Sequence, residues 1–90
     1  MIDWDERKRE ANLKKHGFDL ADTETVFSGV TFTYEDNRFD YKEQRFVTLG
    51  LLQDTVVSIV HTEQDDHIHV ISMRKATKRE REIYFKNISN

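Results

Sequence analysis

The spacing of apolar residues changes once along this chain, near Val30, and that change restricts the fold more than any single motif does. From Val30 onward Val30, Phe32 and Tyr34 alternate with threonines, a period of two that suits a strand and not a helix. Glu35 to Arg38 reads as a turn, and Phe39 and Tyr41 resume the alternation, so a hairpin is expected here. The segments 45–52, 55–62 and 67–73 are β-branched and apolar-rich, separated by Gln53-Asp54 and by Glu63 to Asp66, which predicts a meander of antiparallel strands. Ahead of the change, Ile2 and Trp4 suggest a short opening strand. Glu6 to His16 is then rich in helix formers and stops at Gly17, a residue suited to the left-handed turn after a helix. Asp19 can cap a second short helix that turns Leu20, Val26 and Phe27 inward and ends at Gly29 in the same way. Thr77 to Asn87 closes the chain as a helix, with Thr77 and Glu80 placed for a capping box. The expected fold class is α+β: an antiparallel sheet of about four to six strands with the N-terminal helices packed on one face and a C-terminal helix.

The chain has no proline, three glycines and no repeat, so nothing divides residues 1–90, and a single domain is expected. With 37% apolar residues the chain can build a core despite a mean hydropathy of -0.77, which favours a globular fold over disorder. The absence of cysteine excludes disulfides, thiolate metal sites and a cysteine nucleophile. No apolar run approaches the roughly 20 residues that cross a bilayer. The Met1 to Glu6 segment also lacks a basic region followed by an apolar one, so a cytoplasmic location is expected.

A net charge of -3 alone argues mildly against a nucleic-acid ligand, but the charges are unevenly spread. Residues 1–17 carry five Lys/Arg against four acids and residues 74–90 six against two, while the middle carries three against eleven. Basic termini around an acidic middle either present one positive face to a phosphate chain or solvate two helices.

Tight turns would place Leu52 opposite Thr55 and Glu63 opposite Asp66, and this pairing sorts the strand residues onto two faces. Val47, Leu49, Leu51, Val56, Val60, Ile71 and Met73 form the expected core face. The other face collects Phe46, Thr48, Gly50, Val57, Ile59, His61, Ile68, Val70, Ser72 and Arg74, with His61 and Arg74 gathered at its polar end. Rings and cations on a half-polar face suit RNA, through base stacking and phosphate contacts; the alternative is a second sheet face covered by terminal segments. Cutting RNA without a metal requires a base for the 2′-hydroxyl, an acid for the leaving oxygen and cations for the phosphate. His61 is the candidate for proton transfer and Arg74 for phosphate stabilisation. Glu43 and Arg45 supply a further carboxylate and cation, or a surface ion pair. His67 and His69 share a strand face beside Asp65 and Asp66, a conceivable weak metal site; no helical His pair or thiolate supports one, and neither metal nor cofactor is expected. Lys8, Ala11, Asn12 and Lys15 form a polar stripe on the first helix, either solvated or facing a partner, in which Asn12 is a poor helix former.

An ordered set of segments resembles the BrnT family of toxins, small proteins with a RelE-like fold. It comprises Trp4-Asp5-Glu6, Lys8, Asn12, Lys15-His16-Gly17, Val26-Phe27, Asp36 to Tyr41, Glu43-Gln44-Arg45, Gly50, Val60 to Glu63, Ile71 to Thr77, Glu80 and Tyr84. One departure is His69, where relatives usually carry arginine. The resemblance implies a metal-independent endoribonuclease that arrests growth by cutting RNA and is neutralised by a cognate DNA-binding antitoxin, through which it oligomerises. It also implies importance for the matched polar positions Lys15, His16, Glu43, Arg45, Ser72, Arg74, Glu80 and Tyr84. Lys15, His16, Ser72, Lys75 and Tyr84 are expected to contact RNA, and Arg74, His61, Glu43 and Arg45 to carry the reaction. The competing expectation is a toxin-like binding module that has lost activity and still forms a complex with an antitoxin or repressor. In such a complex the Lys8/Asn12/Lys15 stripe or the basic final helix is the expected contact.

Overall fold

Helix α1 (Glu6–His16) begins where Asp5 adopts extended backbone and accepts hydrogen bonds from the N–H groups of Arg7 and Lys8, and it ends at Gly17, whose φ of 77° only glycine adopts without strain. The structure is a computed structural model, described here for residues 1–38 and 42–89. Strand β1 (Ile2–Trp4) precedes α1, and a 3-10 turn (Leu20–Asp22) and α2 (Thr23–Phe27) follow it. Asp19 caps the turn as expected, and its carboxylate also takes two bonds from Arg9 of α1, at 2.7 and 3.0 Å. Gly29 does not end α2 as Gly17 ends α1: Ser28, with right-handed backbone, closes the helix, and Gly17 is the one described glycine with positive φ.

Strands β2 (Phe32–Glu35), β3 (Phe46–Leu52), β4 (Thr55–Gln64) and β5 (His67–Lys75) join β1 in one sheet ordered β1-β5-β4-β3-β2, and α3 (Lys78–Ile88) completes the chain. The expected α+β class holds, with one refinement: β1 pairs with β5 in parallel, while the other ladders are antiparallel. Strand β2 pairs with β3, and the Phe39 to Tyr41 arm of the expected hairpin lies outside the described residues. The capping box forms at α3 as predicted, Thr77 accepting from the Glu80 N–H and Glu80 from the Thr77 N–H.

Register decides which side chains share a face. Leu52 does stand opposite Thr55, through a turn at Gln53 and Asp54 with φ of 49° and 67°. The second turn is displaced by one residue. Gln64 stands opposite His67 and Glu63 opposite Ile68, so the loop falls on Asp65-Asp66, and the short side chain of Asp65 tolerates the left-handed φ of 56° found there. A bulge then shifts the ladder: His61 faces Val70 but Val60 faces Ser72, leaving Ile71 as the extra residue. Beyond the bulge every β5 side chain lies on the face opposite to the one expected. Met73 joins Ile59, whereas Ser72 and Arg74 join Val60 and Ser58.

Both faces are therefore covered. Leu20 and Val26 pack with Val57, Ile59, Val70 and Met73 beneath the N-terminal helices, flanked by Trp4, Phe18 and Phe27. On the other side Val47, Leu49 and Val56 pack with Ala76 and Tyr84 beneath α3. The expectation of one core face and one open, RNA-facing face is corrected: Val57, Ile59 and Val70 bring enough apolar area to seat the N-terminal helices on the face that also carries His61.

Asn12 explains how α1 docks. Strand β1 stops at Trp4, opposite Val70, so the peptide groups of Met73 have no strand beside them on the edge away from β4. The Asn12 carboxamide takes that place: it accepts from the Met73 N–H at 3.0 Å and donates to the carbonyls of Met73 at 2.8 Å and Phe18 at 2.9 Å. An amide is the side chain that offers a donor and an acceptor in this geometry. The stripe expected on the α1 surface is thus partly an inward contact, with Asn12 only 6% exposed.

Candidate functional site

The sheet face under α3 is apolar where the helix covers it and polar where the helix begins. Arg74 enters this polar margin from β5 and Glu80 from the first turn of α3. Arg74 Nη1 and Nη2 donate to the two carboxylate oxygens of Glu80 at 2.8 and 2.9 Å, and Nη1 also donates to the Lys75 carbonyl at 3.2 Å. Burial pushes the Glu80 carboxyl upward, but the Arg74 pair and the Thr77 N–H outweigh it and hold the carboxyl below its ordinary value. The end-on pairing occupies one edge of the guanidinium. The side edge, Nε–H and the second Nη2 proton, has no acceptor among the described residues, and the side chain remains 29% exposed. Ser58 of β4 lies 3.5 Å from Glu80. Tyr34 of β2 feels the charges of Glu80, Arg38, Asp36 and Arg74, and its phenol is pushed up first by burial and then by Glu80. Asp36 is buried and holds Arg38 through bonds of 2.8 and 2.9 Å.

The same face continues to the opposite end of the sheet. Glu35 stands opposite Phe46, which stands opposite His61, so Arg45, next in the ladder, projects with Val47 on the Arg74 side. Its guanidinium lies 3.9 Å from Glu43, a loose pair with Glu43 61% exposed. Glu43 borders a cleft of ≈ 460 Å³ together with Thr62, Gln64, Asp65, His67 and His69. At its rim His69 Nδ1 and His67 Nε2 lie 2.6 and 2.8 Å from the carboxylate of Asp3, and these two hydrogen bonds hold the Asp3 carboxyl below its ordinary value.

Several expected site residues lie elsewhere. His61 and Arg74 do not share a face, because the bulge separates them. His61 is fully buried among Phe27, Phe46 and Thr48, with ring centroids 5.5 and 6.0 Å from the two phenyl rings and Nε2 2.7 Å from the Thr48 hydroxyl, which meets the Thr33 hydroxyl at 2.7 Å. Burial lowers its pKa from 6.5 to about 4, so the ring is neutral at physiological pH. Tyr84 is also in the core, 1% exposed, and its hydroxyl donates to the Val30 carbonyl at 2.8 Å. Lys15 and His16 border a hollow between α1 and the open edge of β5, with Ile71 and Ser72 as its floor. Lys75 is exposed near Arg81 and Phe85. The structure thus brings Arg74, Arg45, Glu43 and Ser72 to one side of the sheet and leaves His61 on the other.

Sequence reasoning missed Tyr34, Ser58 and Asp3 as neighbours of the site. The pairing of β2 with β3 brings Tyr34 there, and parallel pairing with β5 sets Asp3 opposite His69. The one signal available was that Asp3 and Tyr34 both lie in alternating segments. No helix among the described residues is long and apolar enough to cross a membrane. No curated protein matches the chain. A family model does match, over residues 4–80, and its description is a ribonuclease toxin, BrnT, of type II toxin–antitoxin systems. That match spans both the Arg74 cluster and the Arg45 end of the sheet, and the chain belongs to this family of ribonuclease toxins.

Proposed function

We propose that this chain is a cytoplasmic endoribonuclease that cuts RNA without a metal ion, on the sheet face bearing Arg74, and is held inactive by a cognate DNA-binding antitoxin. The observation that supports this reading most is the orientation of Arg74. Glu80 fixes one edge of its guanidinium and leaves the other free to grip a phosphate through two parallel N–H donors. In the proposed reaction a base removes the proton of the 2′-hydroxyl and that oxygen bonds to phosphorus. The bond to the 5′-oxygen breaks, and the leaving oxygen takes a proton. Arg74 stabilises the negative charge that accumulates on the non-bridging phosphate oxygens in between. Arg45 is the second cation and Glu43 the base. Strand geometry separates the Cα atoms of Arg45 and Arg74 by roughly 16 Å, so their long side chains would bracket a nucleotide-sized ligand. Lys15, His16, Ser72 and Lys75 lie along the β5 edge as contacts for the flanking phosphates. His61 and Tyr84 serve as scaffold.

The same ion pair favours a second reading, an inactive toxin-like module, because in the free chain Glu80 already neutralises Arg74. Incubating purified protein with RNA in EDTA separates the two. Cutting in EDTA that disappears in Arg74→Ala, with an unchanged unfolding curve, supports the enzyme. Cutting that persists in Arg74→Ala, or that requires a divalent ion, overturns it. An intact RNA substrate together with a stable antitoxin complex supports the module.

A further inference from the structure

We propose that Asp3, His67 and His69 form a three-ligand site for a divalent transition metal, with Zn²⁺ as the ion it fits, clamping β1 onto β5 at the rim of the Glu43 cleft. The geometry is set by the backbone. His67 and His69 lie two residues apart on β5 and so project from the same face, and parallel pairing puts Asp3 directly opposite His69. One ligand atom from each residue falls within a group whose members all lie within 4.8 Å of one another. Two imidazoles and one carboxylate are a donor set that first-row divalent metals accept, and three protein ligands leave positions for water.

The distances allow it. An ion about 2.0–2.1 Å from each donor requires donors about 3.3 Å apart in a tetrahedral arrangement. His69 Nδ1 lies 2.6 Å from Asp3 Oδ1 and His67 Nε2 2.8 Å from Oδ2, so each nitrogen must part from its own oxygen by about half an ångström or more to admit an ion, which the carboxylate can bind through one oxygen or both. Side-chain exposures of 41–46% leave them room to do so and leave an entry path for the ion. Each imidazole would turn a lone pair rather than a proton toward the centre, which neutral histidine accomplishes by changing tautomer. The ion would also offset the negative charge that Glu43 and Asp65 bring to the cleft and Asp3 to its rim.

The ladder gives the clamp its purpose. Strand β1 is three residues long; besides the packing of Ile2 and Trp4 on the core it is held by its pairing with 68–70 and by the Met1 ammonium on the Asp66 carbonyl at 2.8 Å. This site stands whether or not the chain cuts RNA, and it takes no part in the proposed cleavage.

The test is titration of the untagged protein with Zn²⁺ by calorimetry, with Co²⁺ as a spectroscopic substitute whose visible absorption reports coordination geometry. One ion per chain is expected, together with a melting temperature that rises with Zn²⁺ concentration. Asp3→Asn should weaken binding about tenfold or more, and His67→Ala with His69→Ala should abolish it. His16→Ala should leave it unchanged. Because the three ligands are partly exposed, these variants keep their cores, which a wild-type circular-dichroism spectrum and cooperative unfolding without metal verify. Absence of stoichiometric binding, or binding that survives loss of both histidines, overturns the proposal.

Discussion

Acid should unfold this protein through His61, and the size of the effect follows from its burial. The folded-state imidazole titrates at about 4 against 6.5 when unperturbed, because the pocket of Phe27, Phe46 and Thr48 desolvates the charged form. A base with a depressed folded pKa is protonated first in the unfolded chain. Its contribution to stability is therefore complete above pH 6.5, declines as pH falls from 6.5 toward 4, and levels off once the folded state also takes the proton. At about 1.4 kcal/mol per pH unit the full loss, reached below pH 4, comes to somewhat more than about 3 kcal/mol. A chain of this length has roughly 5–13 kcal/mol to lose, so one ring governs a large share of its acid tolerance. Glu63, 3.7 Å from Nδ1, would favour the charged form, but it is 41% exposed and screened by water, so its opposition is small. The perturbation is His61→Gln, which keeps a polar group near Thr48 and cannot titrate. Urea unfolding of both proteins from about pH 7.5 to about 4.5 should give curves that diverge from parallel by about 2–3 kcal/mol, the wild type falling more steeply. The subtraction removes the carboxylates Asp3, Asp19 and Glu80, whose lowered pKa values cost stability only further into acid. Parallel profiles would refute the claim that His61 is buried neutral. They would also reopen its candidacy as a proton-transfer group.

Two packing predictions use the same unfolding assay. Asn12→Ala leaves the Met73 N–H and C=O without their partner at a buried edge and should cost about 2–4 kcal/mol; a loss below about 1 kcal/mol would mean that water replaces the amide. Gly50→Ala would place a Cβ 2.6 Å from Val26 Cγ1 and 3.1 Å from Thr31 Cγ2, at a cost of about 1–3 kcal/mol; adding Val26→Ala should remove part of that penalty, and strict additivity would show that the clash is not its source.

The elements of this fold were legible because their ends carry local chemistry. Asp5 and Gly17 delimit α1, and Thr77 with Glu80 starts α3, through bonds that span at most four residues. Faces were less legible, because they depend on register over the whole sheet. The Leu52/Thr55 turn was placed correctly, whereas the next loop lies one residue further along, on Asp65-Asp66. That displacement alone moves the pairing by two residues and preserves the faces. The bulge at Ile71 does not, and no residue type there announces it, since isoleucine fits a regular strand equally well. The candidate site was thus half legible: Arg74, Arg45 and Glu43 were identified by chemistry and do share a side of the sheet, while His61 was assigned to that side by parity and lies on the other.

The bulge also links the core to the candidate site. With an unbroken β5, the register that sets Val70 opposite His61 would set Met73 opposite Ser58 and Arg74 opposite Val57, beneath the N-terminal helices. Val57 is fully buried there, and a guanidinium in its company would face a desolvation cost of several kcal/mol with no carboxylate among the core residues Leu20, Val26 and Ile59 to offset it. The extra residue reverses the last part of the strand, so Met73 fills the core and Arg74 reaches Glu80. The same shift leaves the Met73 peptide at an unpaired edge that Asn12 then satisfies. Asn12 in α1, Ile71 in β5 and Glu80 in α3 are thus three parts of one arrangement that brings a charged arginine to the surface of a sheet buried on both sides.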